Sequence, residues 1–505
     1  MVPRPDDAVN AAGGRHAAGA PDPGFEALLE RMRAAADPLA DLAVARIVGK
    51  WAVPAVDVSA AALRAAHGAQ FDRLAAASAL FAGMPSNGAL AAWAAGADDG
   101  ATVEGALKAF VESACTLPPW ADAAKLQRAE QLFLEHGALS CILLFCASLP
   151  ECYVVPDLSL VLNASGQLEQ RTDYRIRMTA AMIFPVMMPG GLTRPEGGGI
   201  AQVLKVRLIH ATIRSLILRD TPEHASAALA AGATAAAAEP LPAAQAGARN
   251  MAESLFGLGW DLRAQGMPCN QADLAYTLLT FGYVFLRSLR RLGIGLPRAD
   301  EVAFLHCWNV AGCVLGIEPA LMAHTMAEAA ALFRRLQAHG RAHPALPDPR
   351  PALGRALVAT MAASIPFAVF KPFPRLMLRH LCGRRTARDI GLRGPVNGAA
   401  AVLFGLTMAV IRGIDTVVRQ VRPGFSISRF LTRVLGYRLL TRVLMDQTRP
   451  LSLPEHLLDN VDATMQTWHD DPKAPRWLNR VEDRLTTPGR WQRAAPPADR
   501  RPAPG

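Results

Sequence analysis

The sequence predicts an all-α protein, and three observations lead to this fold class. Alanine, leucine and arginine dominate the composition, and β-branched residues are sparse outside short runs. Apolar residues recur at the three- and four-residue spacing of helices that bury one face. With 505 residues, 51% of them hydrophobic, the chain is long enough to bury a large core.

Shifts in composition divide the chain into four segments. We expect a disordered, Pro/Gly/Ala-rich tail over 1–24 and a main helical domain over 25–345. A further helical region should cover 350–470, and a polar, Pro-rich tail should cover 471–505. Within the main domain, the low-complexity stretch 222–249 is interpreted as a surface insertion without chemistry.

Caps and breakers place several helices. Residues 25–48 have an amphipathic pattern, which Pro38 should bend or break. A helix over 121–149 becomes strongly apolar toward its end, as expected of a helix that crosses the core. Asn270 is placed to cap a later helix, and Gly293 is placed to end it.

The charge of the chain suggests few classes of partner. The net charge is +10, which favours association with nucleic acid or with an anionic membrane. The arginines are scattered through amphipathic helices, aromatic residues are few and no recognition motif is visible, so no nucleic-acid partner is expected. Ordinary solvated basic faces and peripheral contact with an anionic membrane surface both stay open.

The eight cysteines form no CxxC pair, and most of them lie in apolar helical runs. Buried free thiols in a reducing compartment are therefore expected. The spacing supports neither an iron–sulfur cluster nor a structural zinc site.

Two apolar segments, 356–370 and 397–411, are too short to span a bilayer. They are interpreted as buried core helices, with monotopic insertion into a membrane as the alternative. The start of the chain has neither an apolar signal region nor a twin-arginine pair. We therefore expect a cytoplasmic protein, with contact to the inner membrane as an open alternative.

The most informative stretch is 171–219, which predicts two helices joined by a glycine-rich turn. In the first helix, Arg175 and Thr179 are four residues apart and share one face. Met178 lies between them, in a methionine-rich apolar pattern that suits either a flat apolar cofactor or an ordinary core. Arg175 and Thr179 therefore form a polar stripe on an otherwise apolar helix.

The second helix of this stretch carries His210 between Arg207 and Arg214. Positions −3, 0 and +4 lie on one face of a helix. One imidazole and two guanidinium groups on a common face would suit a haem, which needs an iron ligand and cations for its propionates. The alternative is a core histidine beside arginines that pair with Asp or Glu from another helix.

Two further residues could have a catalytic or ligand role. Glu151 is an isolated acid in an apolar neighbourhood, where a raised pKa could make it a general base. His306 could be a second iron ligand, but a core histidine bonded to a carbonyl is the favoured interpretation. Templates for serine hydrolases, zinc proteases, dinucleotide binding and phosphate loops are not found in the sequence.

Taken together, several motifs resemble the rubber oxygenase family, which includes latex clearing proteins and MpaB-type oxygenases. The resemblance covers roughly residues 100–330 and rests on the order and spacing of its parts, not on any single motif. These parts are Arg175-x-x-x-Thr179, the glycine-rich turn, VRLIHATIR, NQADLAYTLLTF and LHCWNVAGCVLGI.

The resemblance implies a globin-like helical core around a non-covalently bound haem b. It implies that His210 is the proximal iron ligand, that Arg207 and Arg214 lie near the haem, and that Arg175 and Thr179 form the family's pair on the distal side. The implied reaction is cleavage of an isoprenoid carbon–carbon double bond by O2 to give carbonyl products.

The chain departs from the family pattern in two respects. Some latex clearing proteins have a lysine between the Arg and the Thr that can occupy the sixth iron position, and Met178 stands there in this chain. The rubber-cleaving members also carry an export signal, which is not seen here. We therefore expect a smaller prenyl-type or other unsaturated lipid as substrate, and not solid rubber.

The leading functional hypothesis is a haem b-dependent oxygenase, most simply a dioxygenase, acting on such a substrate. Two alternatives are kept open. One is a haem-binding carrier or sensor on the same fold, and the other is a cofactor-free helical protein of the membrane surface.

Overall fold

A computed structural model describes nine stretches of the chain: 23–52, 57–95, 102–165, 172–231, 237–344, 347–363, residue 365, 368–394 and 396–421. The side chains of 138, 165, 172–178, 237 and 410–421 are outside this description. So are the predicted tail 471–505 and nearly all of the tail 1–24.

The described chain is almost wholly helical, which confirms the predicted all-α fold class. The first half contains α1 Pro23–Ala34, α2 Pro38–Val48, α3 Ala60–Ala82, α4 Asn87–Ala94, α5 Val103–Ala114, α6 Ala123–Leu143, a π-helical turn Leu144–Ser148, α7 Leu149–Cys152, α8 Pro156–Ser165, α9 Thr172–Met187, α10 Gly199–Leu218 and α11 Pro222–Ala230.

The second half continues with β1 Ala237–Ala238, α12 Pro242–Ala246, α13 Met251–Phe256, β2 Trp260–Asp261, α14 Leu262–Gln265, α15 Gln271–Phe281, α16 Tyr283–Arg291, α17 Arg298–Val314, a 3₁₀ turn Pro319–Leu321, α18 Met326–Arg341, α19 Arg350–Ala363, a 3₁₀ turn Ala368–Phe370, α20 Phe373–Cys382, α21 Arg384–Asp389 and α22 Gly398–Val421.

Helix boundaries follow the predicted local signals. Pro38 ends the first helical pattern and starts α2, where Asp37 is the N-cap and accepts a bond from the backbone amide of Ala40. Asn270 caps α15 by accepting the amide N–H of Asp273 at 2.9 Å. Gly293, with φ +86°, follows α16, and its left-handed backbone conformation suits a helix end.

The predicted helix 121–149 is sharply bent. Gly137 interrupts α6 with φ +43° and ψ −117°, a backbone conformation that glycine adopts without strain. The parts on either side meet at 92°. Within the described part of the chain, no single helix is long and apolar enough to cross a membrane, although this bent pair has the length and composition.

Helix α10 is central to the packing. It contacts α2, α9, α13 and α17, and residues such as Leu204, Ala211 and Leu216 are wholly buried in the main core. An amphipathic helix surrounded on several sides can hold functional side chains rigidly, because packing fixes both its axis and its rotation.

The 222–249 stretch contains more structure than the predicted insertion. Helices α11 and α12 lie within it, and Ala237–Ala238 pairs antiparallel with Trp260–Asp261. Residues 232–236 are outside the description. Local composition was low in complexity, and the pairing with a segment more than twenty residues later could not be inferred from it.

The start of the region 350–470 packs directly on the preceding helices. Helix α19 contacts α8 and α9, while α20 and α21 contact α7. Leu357, Leu378 and Leu381 are completely buried in the main core. Hydrophobic burial therefore joins residues 350–392 to the rest of the fold.

Candidate functional site

One face of α10 stays only partly covered in an otherwise buried helix. Its half-buried residues are Gln202, Lys205, Val206, Arg207, Ile209, His210 and Thr212. On α9, which packs against α10, Thr179, Ala181 and Met182 are also half-buried. The two helices thus contribute a partly covered surface of mixed apolar and polar side chains, which makes it a candidate small-molecule site.

His210 is an unsatisfied polar group on this surface. Its Nδ1 is buried and has no hydrogen-bond partner among the described residues. Burial, together with the nearby Arg214 charge, lowers the pKa of His210 to about 4. The imidazole is therefore neutral at pH 7, which is the form that binds a metal.

Arg207 pairs with a carboxylate from α2. Its Nε and Nη2 atoms donate to the two oxygens of Asp37 at 2.6 and 2.8 Å, and Nη1 donates to the Val314 carbonyl at 3.0 Å. A bidentate pair of this kind neutralises the charge and fixes the orientation of the guanidinium. Every nitrogen of the Arg207 fork therefore has a protein partner.

Arg214 pairs with the next carboxylate along α2. Its Nε donates to Asp41 Oδ1 at 2.7 Å and its Nη1 donates to the Cys269 carbonyl at 2.9 Å. Both side chains of the pair are essentially inaccessible. The Nη2 atom of Arg214 has no partner among the described residues, so one donor of this guanidinium is unused.

These pairs correspond to the alternative that the sequence left open, carboxylates from another helix. The interpretation of Arg207 as a free cation for a propionate is corrected, because Asp37 already occupies it. Contact of a propionate with Arg214 Nη2 stays a prediction. Asp37 and Asp41 lie 170 and 173 residues before their partners, and nothing local in the sequence identified them.

Lys205 is a cation on the open face that the sequence did not single out. No ion-pair or hydrogen-bond partner is found for it among the described residues, and burial lowers its pKa. A half-buried lysine without an anion is costly. It is therefore a natural contact for an anionic group of a bound molecule.

The predicted distal pair is only partly described. Arg175, Met178 and Thr179 all lie on helix α9, so the backbone places Arg175 and Thr179 one turn apart on one face. Thr179 is half-buried. The side chains of Arg175 and Met178 are outside the described residues, and their predicted roles stay predictions.

The glycine-rich turn between α9 and α10 is sterically restricted. A methyl group on Gly191 would lie 2.0 Å from the carbonyl oxygen of Pro185, and one on Gly197 would lie 2.3 Å from that of Gly190. Gly190 has φ +73°, and its N–H donates to the buried carboxylate of Glu130 at 2.9 Å. Only glycine allows this close return of the chain.

Asn87 ties this turn to the start of α10. Its amide nitrogen donates to the carbonyls of Gly191 and Arg194 at 2.8 and 3.0 Å. Its Oδ1 accepts from the amides of Ile200 and Ala201, the second at 3.3 Å. Asn87 thus satisfies orphan N–H groups of the helix that carries His210, a role that the sequence did not reveal.

The interpretation of Glu151 as a general base is not supported. Its Oε1 accepts from Arg287 at 2.7 Å, and its Oε2 accepts from Gln337 at 2.8 Å and Thr386 at 3.1 Å. The carboxylate is fully buried and both of its oxygens already accept hydrogen bonds, so it offers no free oxygen to a substrate proton. Glu151 is a structural residue that connects α7 to α16, α18 and α21.

His306 is a core histidine, as the sequence favoured. Its Nε2 accepts the backbone N–H of Asp122 at 2.9 Å, whereas a bond to a carbonyl had been expected.

All eight cysteines are free, as predicted. Burial raises the pKa values of Cys141, Cys146 and Cys307 to about 12 or above, so these thiols are not nucleophiles at neutral pH.

The residues of the open face fit a haem in part. His210 supplies a neutral imidazole with an unpartnered nitrogen, and the surrounding side chains are apolar. Histidine ligands usually donate their second ring N–H to a carbonyl or carboxylate, and no such partner of Nδ1 is found among the described residues. Lys205 and Arg214 Nη2 offer positive charge for propionates.

The chain belongs to the family described as ER-bound oxygenase mpaB/B′/rubber oxygenase, catalytic domain, whose model matches residues 160–413, half of the chain. The predicted family is therefore confirmed. The match continues past residue 350, where the sequence suggested a division.

Among characterised proteins, the chain is similar to a rubber oxygenase of Streptomyces sp. (strain K30), with 25% identity over 215 residues. The aligned segment spans 42% of this chain and 43% of that relative. A solved structure of latex clearing protein LCP in the closed state has the same fold, with a TM-score of 0.52 and 18% identity over 86% of this chain and 90% of that one.

Proposed function

We propose that this protein is a haem b-dependent oxygenase that cleaves a carbon–carbon double bond of an isoprenoid or other unsaturated lipid with O2. Membership of the rubber oxygenase/MpaB family supports the oxygenase class. The observation that carries the haem assignment is His210, a neutral imidazole that is half-buried on the open face of α10.

Several polar residues on or behind the open face have a proposed task. His210 would hold the iron, and Lys205, with Arg214 behind it, would supply positive charge for the propionates. The haem supplies the binding and activation of O2 when it is bound. Thr179 and Arg175 orient the reactants from α9, and the apolar side chains of Val206, Ile209 and Met182 bind the hydrocarbon chain and exclude water.

The ion pair Asp37–Arg207 favours one alternative, a helical protein without a cofactor, because it removes Arg207 from the cations available to the propionates. Haem content separates the two functions. We expect an absorbance spectrum with a Soret band and about one haem b per chain by the pyridine haemochrome assay. A chain that stays colourless after incubation with hemin would support the alternative.

A matched pair of histidine variants tests the ligand assignment. His210→Ala should lose haem and keep its helical circular dichroism, because it removes the ligand and breaks no hydrogen bond seen in the structure. His306→Ala removes a histidine whose Nε2 is already bonded, and it should keep haem. Normal haem content in His210→Ala would refute the assignment.

Turnover separates an oxygenase from a haem-binding carrier or sensor. With a short polyprenyl substrate, the holoprotein should consume O2 and release aldehyde or ketone fragments detectable by mass spectrometry. Haem binding without O2 consumption across prenyl substrates of several lengths would favour the carrier or sensor.

We further propose peripheral contact with an anionic membrane, based on exposed apolar side chains near the end of the described chain. Val369, Phe370, Val402 and Leu406 are 54%, 37%, 72% and 60% exposed. Exposed basic residues lie on the neighbouring segments: Lys371, Arg384, Arg385 and Arg388. An apolar patch beside cations suits the surface of an anionic bilayer.

Co-sedimentation with phosphatidylserine-containing vesicles tests this contact. Val402→Glu combined with Leu406→Glu should abolish binding, because it places acids in the apolar patch. Leu42→Glu, at a residue that is 50% exposed on α2, is the matched control and should bind normally. Equal binding by both variants would exclude this surface.

A further inference from the structure

Three metal-ligating side chains meet between α1 and the end of α18, helices that do not include His210. They are Glu30, His339 and His343, and their ligand atoms all lie within 4.8 Å of one another. Glu30 Oε1 is 3.9 Å from His339 Nε2. The two imidazole rings are four residues apart in sequence, with centroids separated by 4.9 Å.

His339 is an unsatisfied group within this cluster. Its side chain is only 9% exposed, and its Nε2 has no hydrogen-bond partner in the described part of the chain. An unpaired buried imidazole nitrogen is unfavourable unless a ligand satisfies it. In the neutral imidazole, the lone pair of this nitrogen can bind a metal.

His343 has its coordinating nitrogen defined by its own hydrogen bond. Its Nδ1 lies 3.0 Å from the carbonyl oxygen of His339. A carbonyl only accepts, so Nδ1 carries the proton in the neutral ring and Nε2 keeps its lone pair. Donation of one ring N–H to a backbone carbonyl is the usual arrangement behind histidine metal ligands.

The charges around the cluster are mixed. Glu30 and Glu26, one turn apart on α1, raise the pKa of His339, while Arg33 and His343 lower it. Arg33 is one opposing cation, and its guanidinium is engaged by Asp157 at 3.3 Å and by the carbonyl of Ala264. Arg334 and Arg335 line the same recess as Glu26 and His339, and the two carboxylates of α1 partly offset these charges.

We propose that Glu30, His339 and His343 bind a first-row divalent cation of the Zn²⁺ type, which links α1 to the end of α18. Two imidazoles and one carboxylate are a common zinc ligand set, with water in the fourth position. Tetrahedral zinc with bonds of about 2.0–2.1 Å places its ligand atoms about 3.3 Å apart. The ligand atoms are up to 4.8 Å apart, so binding requires movements of up to about 1.5 Å to reach this geometry. The 61% exposed side chain of Glu30 can supply part of this movement, and the half-buried side chain of His343 can supply the rest.

The site is independent of the proposed oxygenase activity, and zinc content reports it separately from haem content. The untagged full chain would be stripped with a chelator, dialysed against a range of Zn²⁺ concentrations and analysed by mass spectrometry for bound metal. We expect one tightly bound zinc per chain. No saturable zinc binding at micromolar concentrations would overturn the proposal.

Variants locate the ion. Glu30→Gln and His343→Ala change exposed or half-buried ligands and should fold normally, and each should weaken zinc binding at least tenfold. His324→Ala removes an exposed histidine just before α18 and is the matched control, with unchanged affinity expected. Wild-type affinity in either ligand variant would overturn the three-ligand site, as would an equal loss in the control.

A spectroscopic readout distinguishes coordination from a structural effect of the substitutions. Co²⁺ bound by two imidazoles and a carboxylate in tetrahedral geometry should give visible d–d absorption in the wild type and in His324→Ala. That absorption should be missing in Glu30→Gln. Identical Co²⁺ spectra in all three proteins would contradict the assignment.

Discussion

Glu151 and His210 are both polar groups in apolar surroundings, and the structure treats them in opposite ways. Both oxygens of Glu151 accept bonds, from three side chains on three other helices. The Nδ1 of His210 has no partner among the described residues. The fully bonded group is part of the scaffold, whereas the unsatisfied one is where a ligand would gain most. For Glu151 and His210, the hydrogen-bond partners therefore distinguish the structural residue from the candidate site residue, although both are polar and lie in apolar surroundings.

The largest effect on the free energy of unfolding is expected for substitution of Glu151, the fully hydrogen-bonded group. Glu151→Leu would leave the Arg287 guanidinium buried without its carboxylate, and removal of one partner from a buried pair costs about 3–5 kcal/mol. Urea unfolding should show this loss. In the double variant Glu151→Leu with Arg287→Met, much of the stability should return, since no buried charge is left. If Glu151→Leu alone were as stable as the wild type, Glu151 would not be a structural residue.

A smaller effect is expected at Asn87, whose amide is also fully bonded. Asn87→Ala removes partners from two carbonyls and two N–H groups at the glycine-rich turn. We expect a loss of about 1–3 kcal/mol and weaker haem retention, because the start of α10 is no longer fixed. Ser86→Ala, which removes only the N-cap of α4, should reduce stability without affecting haem.

The smallest effect on stability at neutral pH is expected for substitution of His210, the group without a hydrogen-bond partner at Nδ1 among the described residues. Burial lowers the pKa of His210 from 6.5 to about 4 in the folded protein. The unfolded chain therefore binds an extra proton between these values, and the haem-free protein should lose stability as the pH falls from about 6.5 to about 4. In His210→Gln this contribution should disappear, while stability above pH 7 should change little.

The comparison with the wild type isolates His210, because the other histidines titrate in both proteins. Free energies of unfolding would be measured across that pH window. Parallel pH profiles of the two proteins would mean that His210 is not a neutral buried group.

Local signals in the sequence were sufficient for much of the fold. The break at Pro38, the cap at Asn270 and the glycine-rich turn before α10 depend on a few adjacent residues, and each was placed correctly. The helix that carries His210 followed from its periodicity. The family followed from the order and spacing of several motifs over roughly residues 100–330.

The partners of charged groups could not be predicted in the same way. Arg207 and Arg214 find their carboxylates about 170 residues earlier, and Glu151 finds Thr386 235 residues later. Such pairs depend on how helices pack, which a single sequence does not encode locally. The sequence therefore identified the arginines correctly as buried cations in need of anions, and left open which anions they meet.

The two ion pairs that join α10 to Asp37 and Asp41 also connect the family segment to residues that precede it. The segment that defines the family begins at residue 160, yet the two acids that neutralise the arginines beside His210 lie at positions 37 and 41. A chain shortened to the family segment would keep both cations and lose both counterions. The residues before 160 thus supply the counterions of two arginines that lie within the family segment.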